Sequence, residues 1–254
     1  MSEAEPDTVA RAAAGPPTRL RVEWLGRQPY PEVYARMQAL LEARIAGEAP
    51  DTVLLCEHEP VYTLGRSRGA RDNLLQTGDT PVIEVERGGD VTFHGPGQLV
   101  GYPVLALPPH RQDLRAYLRA LEGICTRVIG RFGVEGGSDP RNTGVWVGGQ
   151  KIAAIGVAAR RWVTWHGFSI NIDVDLGYFR QVNPCGMGSE LVTRLADHVT
   201  PCPRLRAVAD AAGAELRRWW AEWSALPAEA AEGAPEEPAE GGGTSGSDPS
   251  NLTS

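Results

Sequence analysis

The sequence predicts an α+β fold in which a mixed, largely antiparallel sheet is flanked by helices. Three stretches have helical patterns, and eight short stretches have the apolar composition or the alternation of strands. The strand stretches come in runs and do not alternate strictly with helices, which argues against a regular series of βαβ units. A chain of 254 residues can bury a sizeable core, so we expect one domain that contains these elements.

The elements follow from local patterns in chain order. Pro31 suits the first turn of a helix with a clear apolar stripe. Asp113 suits the N-cap of the second helix and Gly133 its end, and the pair Gly148-Gly149 predicts a hairpin turn. We expect helices at 31–46, 113–131 and 204–223, and strands at 19–25, 52–56, 82–86, 98–105, 144–147, 151–158, 161–165 and 168–174.

The composition predicts one folded domain between two tails. Residues 1–16 and 227–254 consist mainly of Ala, Pro, Glu, Gly and Ser, and we expect both to be disordered. The formal net charge of −7 belongs to these tails, because 17–226 carries 24 bases against 23 acids. A nearly neutral domain lacks the basic bias of a nucleic-acid binder, so we expect no nucleic-acid partner.

Neither a membrane segment nor an export signal is predicted. No apolar run approaches the ~18 residues of a membrane span, and the N-terminal segment has no apolar core of a secretory signal. We therefore expect no membrane partner and a cytoplasmic location. There, Cys56, Cys125, Cys185 and Cys202 should be free thiols, and none has the spacing of a zinc site.

The chain contains a single lysine, Lys151, among 25 cationic residues, and the other 24 are arginines. Arginine cannot exchange a proton near neutral pH, because its pKa lies above about 12. The pKa of a lysine can be lowered by burial or neighbouring charges until it does. Lys151 is therefore a candidate for chemistry, although compositional drift that spared one lysine remains an alternative at this point.

A glycine-rich passage from Arg87 to Gln98 contains four glycines, Thr92 and His94. Glycines permit close approach of the backbone to a ligand, and successive backbone N–H groups can bind anions. The added polar side chains favour a ligand-binding loop over an ordinary hairpin. The passage has neither the P-loop spacing nor a dinucleotide-binding G-x-G-x-x-G pattern.

Two cysteines lie outside periodic segments and are candidate nucleophiles. Cys185 lies between Pro184 and Gly186, whereas Cys202 lies between two prolines. The amide that follows a nucleophile is often useful in an oxyanion hole, and Gly186 has an N–H that a proline lacks. This favours Cys185.

A cysteine nucleophile must be a thiolate, and a nearby cation lowers the pKa of a thiol from about 8.5. Lys151 could both stabilise a thiolate and exchange a proton, so a pair of Cys185 and Lys151 is chemically coherent. His94 is a competing base, and His166 is a weaker one. No G-x-S-x-G motif of a serine hydrolase is present.

Four ordered motifs resemble the octanoyltransferase family of lipoate biosynthesis. They are RGGxxTxHGPGQ from Arg87, KIAAIG from Lys151, HGFSxN from His166 and PCG from Pro184. Phe93 stands where the family often has tyrosine, and Met187 stands where a branched aliphatic residue is common. The resemblance covers nearly all of 17–226 and implies the fold of the biotin- and lipoate-protein ligase catalytic domains.

The resemblance also implies the site. The acyl-carrying cysteine of the family corresponds to Cys185, and the lysine that lowers its pKa corresponds to Lys151. The substrate-binding stretches correspond to three groups of residues: Arg87, Gly88, Gly89, Asp90, Val91, Thr92, Phe93 and His94; Ala154, Ile155 and Gly156; and Gly167, Phe168 and Ser169.

The activity implied is the first step of endogenous protein lipoylation. An octanoyl or lipoyl group would pass from acyl carrier protein, through a thioester on Cys185, to a lysine of a lipoyl domain. The implied acceptors are the lipoyl domains of 2-oxoacid dehydrogenase complexes and the glycine cleavage H protein. Transfer from a thioester to an amide is downhill, so we expect that neither ATP nor a metal is required.

Two alternatives remain open. The first is an ATP-dependent lipoate- or biotin-protein ligase on the same fold, which would use the glycine-rich passage for an acyl-adenylate and would not need Cys185. The second is a non-catalytic module that binds a carrier protein. A requirement for ATP would indicate the first alternative. A cellular phenotype that is unchanged by loss of the Cys185 thiol would indicate the second.

Overall fold

The computed structural model describes residues 19–183 and 191–225. Within these ranges the helices are α1 (Tyr30–Ile45), α2 (Leu114–Gly130) and α3 (Leu205–Ala225). The strands are β1 (Arg21–Gln28), β2 (Thr52–His58), β3 (Val61–Leu64), β4 (Val82–Glu84), β5 (Val91–His94), β6 (Gln98–Val104), β7 (Gly137–Asp139), β8 (Asn142–Val147), β9 (Gln150–Arg160) and β10 (Val163–Asn171).

The strands form two sheets. The larger has the order β1-β2-β6-β10-β9-β8-β7, and the smaller has the order β4-β3-β5. In the larger sheet only β1 and β2 pair in parallel, and the other neighbours are antiparallel. The prediction of a mixed, largely antiparallel sheet with flanking helices is therefore confirmed.

Helices cover both faces of the larger sheet. On one face α2 and α3 bury residues such as Leu121 and Leu216 against Leu99 and Ile170. On the other face α1 buries its apolar stripe against β2, β6 and β10. The smaller sheet has its own apolar cluster, which includes Phe93. On the second face, the edge that α1 does not cover is occupied by the smaller sheet and the glycine-rich passage.

The local signals for helix ends and turns are confirmed. The Asp113 carboxylate accepts hydrogen bonds from the backbone N–H groups of Arg115, at 2.7 Å, and Ala116, at 3.1 Å, as an N-cap should. Gly148 and Gly149 have positive φ angles of 56° and 83° in the turn between β8 and β9, which is the backbone of a tight hairpin.

Three predictions about strands are wrong. The expected single sheet is two sheets, and the strand at 82–86 belongs to the smaller one. The strands expected at 161–165 and 168–174 are one continuous strand, β10. The turn before it is formed by Arg161 and Trp162, which have positive φ angles of 50° and 61° and lack the glycine that usually marks such turns. Part of the glycine-rich passage, expected as a loop, is strand β5.

Some of the predicted features lie outside the described residues. These are Cys185 with its neighbours Pro184, Gly186 and Met187, and the segments 1–16 and 227–254 that the composition predicts to be disordered. In the described part of the chain, none of the helices combines the length and the apolar character that crossing a bilayer requires.

Packing of α2 against the larger sheet should dominate the stability of the domain. Leu121 is fully buried in this layer, so Leu121→Ala should lower the free energy of unfolding by about 3 kcal/mol through lost burial and a cavity. Leu75 is 57 % exposed, and the matched substitution Leu75→Ala should change the free energy of unfolding by less than about 0.5 kcal/mol. Urea titration of both variants checks this, and equal losses would contradict the layer assignment.

Candidate active site

A cavity of about 240 Å³ lies between the larger sheet and the glycine-rich passage. Its floor is formed by β9 from Lys151 to Val157, by β10 from His166 to Asn171, and by alternate residues of β6. We call residues 87–92 the roof, because they lie on the opposite side. The side walls are lined by Tyr30, Leu118, Asn142, Thr143, Phe179 and Val192.

The roof is held on the floor by its backbone. The Gly88 N–H donates a hydrogen bond of 2.9 Å to the Val157 carbonyl on β9. The neighbouring floor residue is Gly156, and a Cβ atom there would lie only 2.9 Å from the Gly88 carbonyl oxygen. Glycine at 156 is therefore required for the close approach of the two backbones.

The Arg87 side chain fixes the roof to the smaller sheet. Its Nη2 donates to the Thr63 carbonyl, at 2.8 Å, and to the Thr63 hydroxyl, at 3.0 Å, while Nη1 donates to the Gly88 carbonyl at 3.2 Å. The guanidinium is largely buried at the edge of the cavity. It thus serves as a structural clamp and also brings positive charge to the cavity wall.

Lys151 lies at one end of the floor, at the start of β9. Its Nζ donates to Asn142 Oδ1 at 3.3 Å and lies 5.7 Å from the ring centroid of Trp146. The side chain passes over Gly144, where a Cβ atom would overlap Lys151 Cε and the Ala153 carbonyl oxygen. Strand β8 therefore positions the amine in two ways. Gly144 leaves space for the lysine side chain, and the side-chain amide of Asn142 accepts a hydrogen bond from Nζ.

A chain of buried hydrogen bonds joins His94 to the backbone of Lys151. His94 Nδ1 donates to Gln98 Oε1 at 2.8 Å, and Gln98 Nε2 donates to Asn171 Oδ1 at 2.9 Å. Asn171 Nδ2 donates to the Thr193 carbonyl at 2.9 Å, and the Thr193 N–H donates to the Lys151 carbonyl at 3.0 Å. These bonds link residues of four strands, β5, β6, β10 and β9, and fix the polar end of the cavity.

The histidines near the cavity are neutral at neutral pH. Burial, together with the neighbouring His58, lowers the pKa of His94 to about 3. Burial lowers the pKa of His58 to about 4, and burial with Arg87 lowers that of His166 to about 3. Among the described residues that line the cavity, the lysine and arginine side chains are those of Lys151 and Arg87.

The described cysteines do not line the cavity. Cys56 and Cys125 are fully buried in the apolar core, as expected, and burial raises the pKa of both thiols. Cys202 is half-buried, and burial raises the pKa of its thiol as well. The described chain borders the cavity on both sides of residues 184–190, because Phe179 and Val192 line it and Val192 pairs with Lys151.

The structure brings most of the sequence-predicted residues together around this cavity. The lining contains Lys151, all of the roof residues Arg87–Thr92, His94, and the stretches Ala154–Gly156 and Gly167–Ser169. The Phe93 side chain is placed elsewhere: it is fully buried in the apolar cluster of the smaller sheet and stacks on Tyr178 at 4.2 Å. Phe93 therefore supports the roof from behind.

Several lining residues carry no signal in the sequence. Tyr30 opens α1, Leu118 lies within α2, and Asn142 starts β8. Tyr30 and Leu118 belong to elements far in sequence from the motifs, and only the tertiary fold brings them to the cavity. Asn142 lies nine residues before Lys151, on the other strand of the same hairpin. In contrast, Gln98, His166 and Asn171 belong to the motifs, and their polar character between apolar strand residues could have indicated a site.

The comparisons with known proteins give the family. Residues 29–217 match the model of the lipoyl protein ligase A/B catalytic domain. An octanoyltransferase from Geobacter metallireducens is 48 % identical over 172 residues, which are 68 % of this chain and 80 % of the relative. One from Gloeobacter violaceus is 48 % identical over 163 residues, which are 64 % of this chain and 73 % of the relative.

Solved structures show the same fold at low sequence identity. A lipoate-protein ligase A bound with ATP has a TM-score of 0.63 at 15 % identity, covering 79 % of this chain and 84 % of that one. A bi-partite lipoate protein ligase from Thermoplasma acidophilum has a TM-score of 0.62 at 15 % identity, covering 79 % and 83 %. The predicted ligase-like catalytic fold is thus confirmed, and the sequence relatives place this chain in the octanoyltransferase family.

Proposed function

We propose that this protein transfers an octanoyl or lipoyl group from acyl carrier protein to a specific lysine of a lipoyl domain. The observation that carries the proposal is the position of Lys151, the one lysine of the chain, at the end of a roofed cavity. The proposed acceptors are the lipoyl domains of 2-oxoacid dehydrogenase complexes and the glycine cleavage H protein, and the proposed location is the cytoplasm.

The cavity suits an acyl chain. Its floor and walls present apolar groups from several strands, namely Val100, Ala153, Ile155, Val157 and Phe168. Each methylene group that leaves water for such surroundings contributes about 0.8 kcal/mol. Ala154 adds a small apolar side chain to the same lining.

The proposed chemistry has two acyl-transfer steps. In the first, the Cys185 thiolate attacks the thioester carbonyl, the bond from the acyl carbon to the phosphopantetheine sulfur breaks, and the released thiolate takes up a proton. In the second, the acceptor amine attacks, the carbon–nitrogen bond forms, and the bond to Cys185 Sγ breaks. Lys151 Nζ accepts the proton that the acceptor amine loses.

Three features support Lys151 in this role rather than a histidine. The Lys151 amine is held beside the cavity by its hydrogen bond to Asn142, and its side chain fits in the space that the missing side chain of Gly144 leaves. The pKa of His94, the competing base, is about 3 because of burial, so the imidazole would hold a proton poorly at neutral pH. Arg87 is used as a clamp and cannot release a proton.

The energy for transfer comes from the thioester itself. An amide is the more stable acyl derivative, so we propose that the reaction needs neither ATP nor a metal ion. An ATP-dependent ligase on this fold would instead need ATP to activate a free acid. The two functions therefore differ in a reagent that can be added or omitted.

Intact mass spectrometry after mixing with octanoyl carrier protein, without ATP or acceptor, tests the proposal. Wild type should gain one octanoyl group that hydroxylamine removes, and Cys185→Ser should gain none. The matched control Cys202→Ser should be labelled like wild type, because Cys202 is outside the cavity lining. No adduct on wild type, with octanoylation of an added lipoyl domain only when ATP and free octanoate are supplied, would instead establish a ligase.

Lys151→Arg should lower the rate of transfer to a lipoyl domain by about 10²-fold or more, because arginine keeps the charge but cannot exchange the proton. Rates in single-turnover assays check this. Arg160→Lys, a conservative exchange of an exposed residue outside the cavity lining, should leave the rate unchanged. A Lys151→Arg rate within about twofold of wild type would show that Lys151 acts through charge alone.

Gly144→Ala should abolish most of the transfer activity, because the new methyl group takes the space of Lys151 Cε. Gly149→Ala is the matched control: Gly149 also has a positive φ angle, but a Cβ there meets no atom within 4 Å. Both variants should lose thermal stability from backbone strain, and Gly144→Ala should lose more, because its Cβ atom would also overlap the Ala153 carbonyl oxygen. Equal transfer rates for the two variants would contradict the proposed path of the lysine side chain.

A further inference from the structure

His166 interrupts the alternation of side chains along β10. Val163 and Trp165 face α1, whereas Phe168 and Ile170 face the core on the opposite side. Regular alternation would place His166 with the second group. Its φ angle is 56°, however, and the imidazole lies beside Trp165, with ring centroids 4.4 Å apart. The left-handed backbone at this residue therefore turns the ring toward the cavity.

This backbone conformation is held in place by the surrounding packing. A non-glycine residue in the left-handed region persists only when its neighbours impose it, and such residues are concentrated at functional sites. The His166 N–H is directed at Met37 Sδ, at 3.2 Å, and its ring lies 6.2 Å from that of Tyr34. Both neighbours belong to α1, which packs on this part of β10.

His166 marks the end of the cavity opposite to Lys151. On β9 the lining residues run from Lys151 to Val157, and on β10 they run from Asn171 to His166. His166 is paired with Val157, so both strands stop lining the cavity at the same level. Val157 comes six residues after Lys151, which is a distance of about 20 Å along β9.

Beyond the imidazole lies a polar, partly open region. Tyr34 donates a hydrogen bond of 2.6 Å to Glu86 Oε2, and the Glu86 side chain is 41 % exposed. Neither residue lines the cavity. The His166 side chain is only 2 % exposed, and its Nε2 lies 3.9 Å from Glu86 Oε2. The ring therefore separates the cavity from the exposed carboxylate.

The imidazole is suited to border an apolar chain end. Its pKa is lowered to about 3 by burial and by Arg87, so no charge faces the cavity at neutral pH. Its Nε2 has no hydrogen-bond partner in the described part of the chain. A buried polar atom without a partner carries a cost in stability, and a residue kept at this cost and in a strained backbone needs a reason other than packing.

We propose that His166 is a specificity-determining residue that closes the distal end of the acyl cavity and limits the length of the chain that fits. The inference rests on the proposed function, because it assigns the cavity to the acyl chain with the thioester near Lys151. A chain that is too long for the cavity would meet the ring, whose direction is set by the left-handed backbone and by packing against Trp165.

The test compares chain-length profiles for acyl carrier proteins loaded with chains of eight to eighteen carbons, read as acyl-enzyme formation, because about 20 Å along β9 holds an extended chain of about sixteen carbons. His166→Gly should raise the rate with the eighteen-carbon chain relative to the eight-carbon chain by about tenfold or more, since a few methylene groups are discriminated to this extent by a pocket. Glycine accepts the positive φ angle and removes the wall. His166→Asn, which also tolerates this backbone, should give a smaller shift in the same direction.

The matched control is Arg161→Gly. Arg161 has a similar φ angle of 50°, but it lies in an exposed turn outside the cavity lining. The chain-length profile of Arg161→Gly should equal that of wild type. This control relieves a similar backbone strain without removing a side chain from the cavity wall, so it separates the two effects. An unchanged profile in both His166 variants, or an equal loss at every chain length, would overturn the inference. Failure of wild type to form an octanoyl adduct would instead overturn the proposed function.

Discussion

The site depends on one backbone hydrogen bond, which joins the Gly88 N–H to the Val157 carbonyl at 2.9 Å. This bond ties the roof to β9, and it can form because Gly156 has no side chain to hold the two backbones apart. The clamp from Arg87 to Thr63 then links the roof to the smaller sheet. Without this closure the floor of the larger sheet would be an open surface, and an acyl chain would remain in contact with water.

Burial of the site also decides its acid–base chemistry. The same low-polarity surroundings that suit an acyl chain lower the pKa of His94 to about 3 and that of His166 to about 3. Neutral histidines can position groups and line walls, but they store a proton poorly at neutral pH. The amine of Lys151 lies at the end of the cavity, beside Asn142. The histidines therefore shape the cavity, and Lys151 is the proposed proton carrier.

Much of this arrangement could be predicted from sequence, because caps, apolar stripes and Gly-Gly turns act locally. Helix α2 with its Asp113 cap is an example. The continuous strand β10 could not be predicted, since its turn uses Arg161 and Trp162 in place of glycine or asparagine. The motifs indicated the floor and roof, but Tyr30 and Leu118 reach the cavity only through the tertiary fold. The direction of the His166 ring depends on a backbone angle that no pattern encodes.

The central claim is that the Cys185 thiol and the Lys151 amine act as a pair. Because the chain has one lysine, protein labelled with ¹⁵N at lysine Nζ gives a single side-chain resonance, which can be titrated by NMR in wild type and in Cys185→Ser. A thiolate beside the ammonium group stabilises it and couples the two titrations. We predict that the titration midpoint of Lys151 is lower in Cys185→Ser than in wild type. Two superimposable titration curves would contradict the pair.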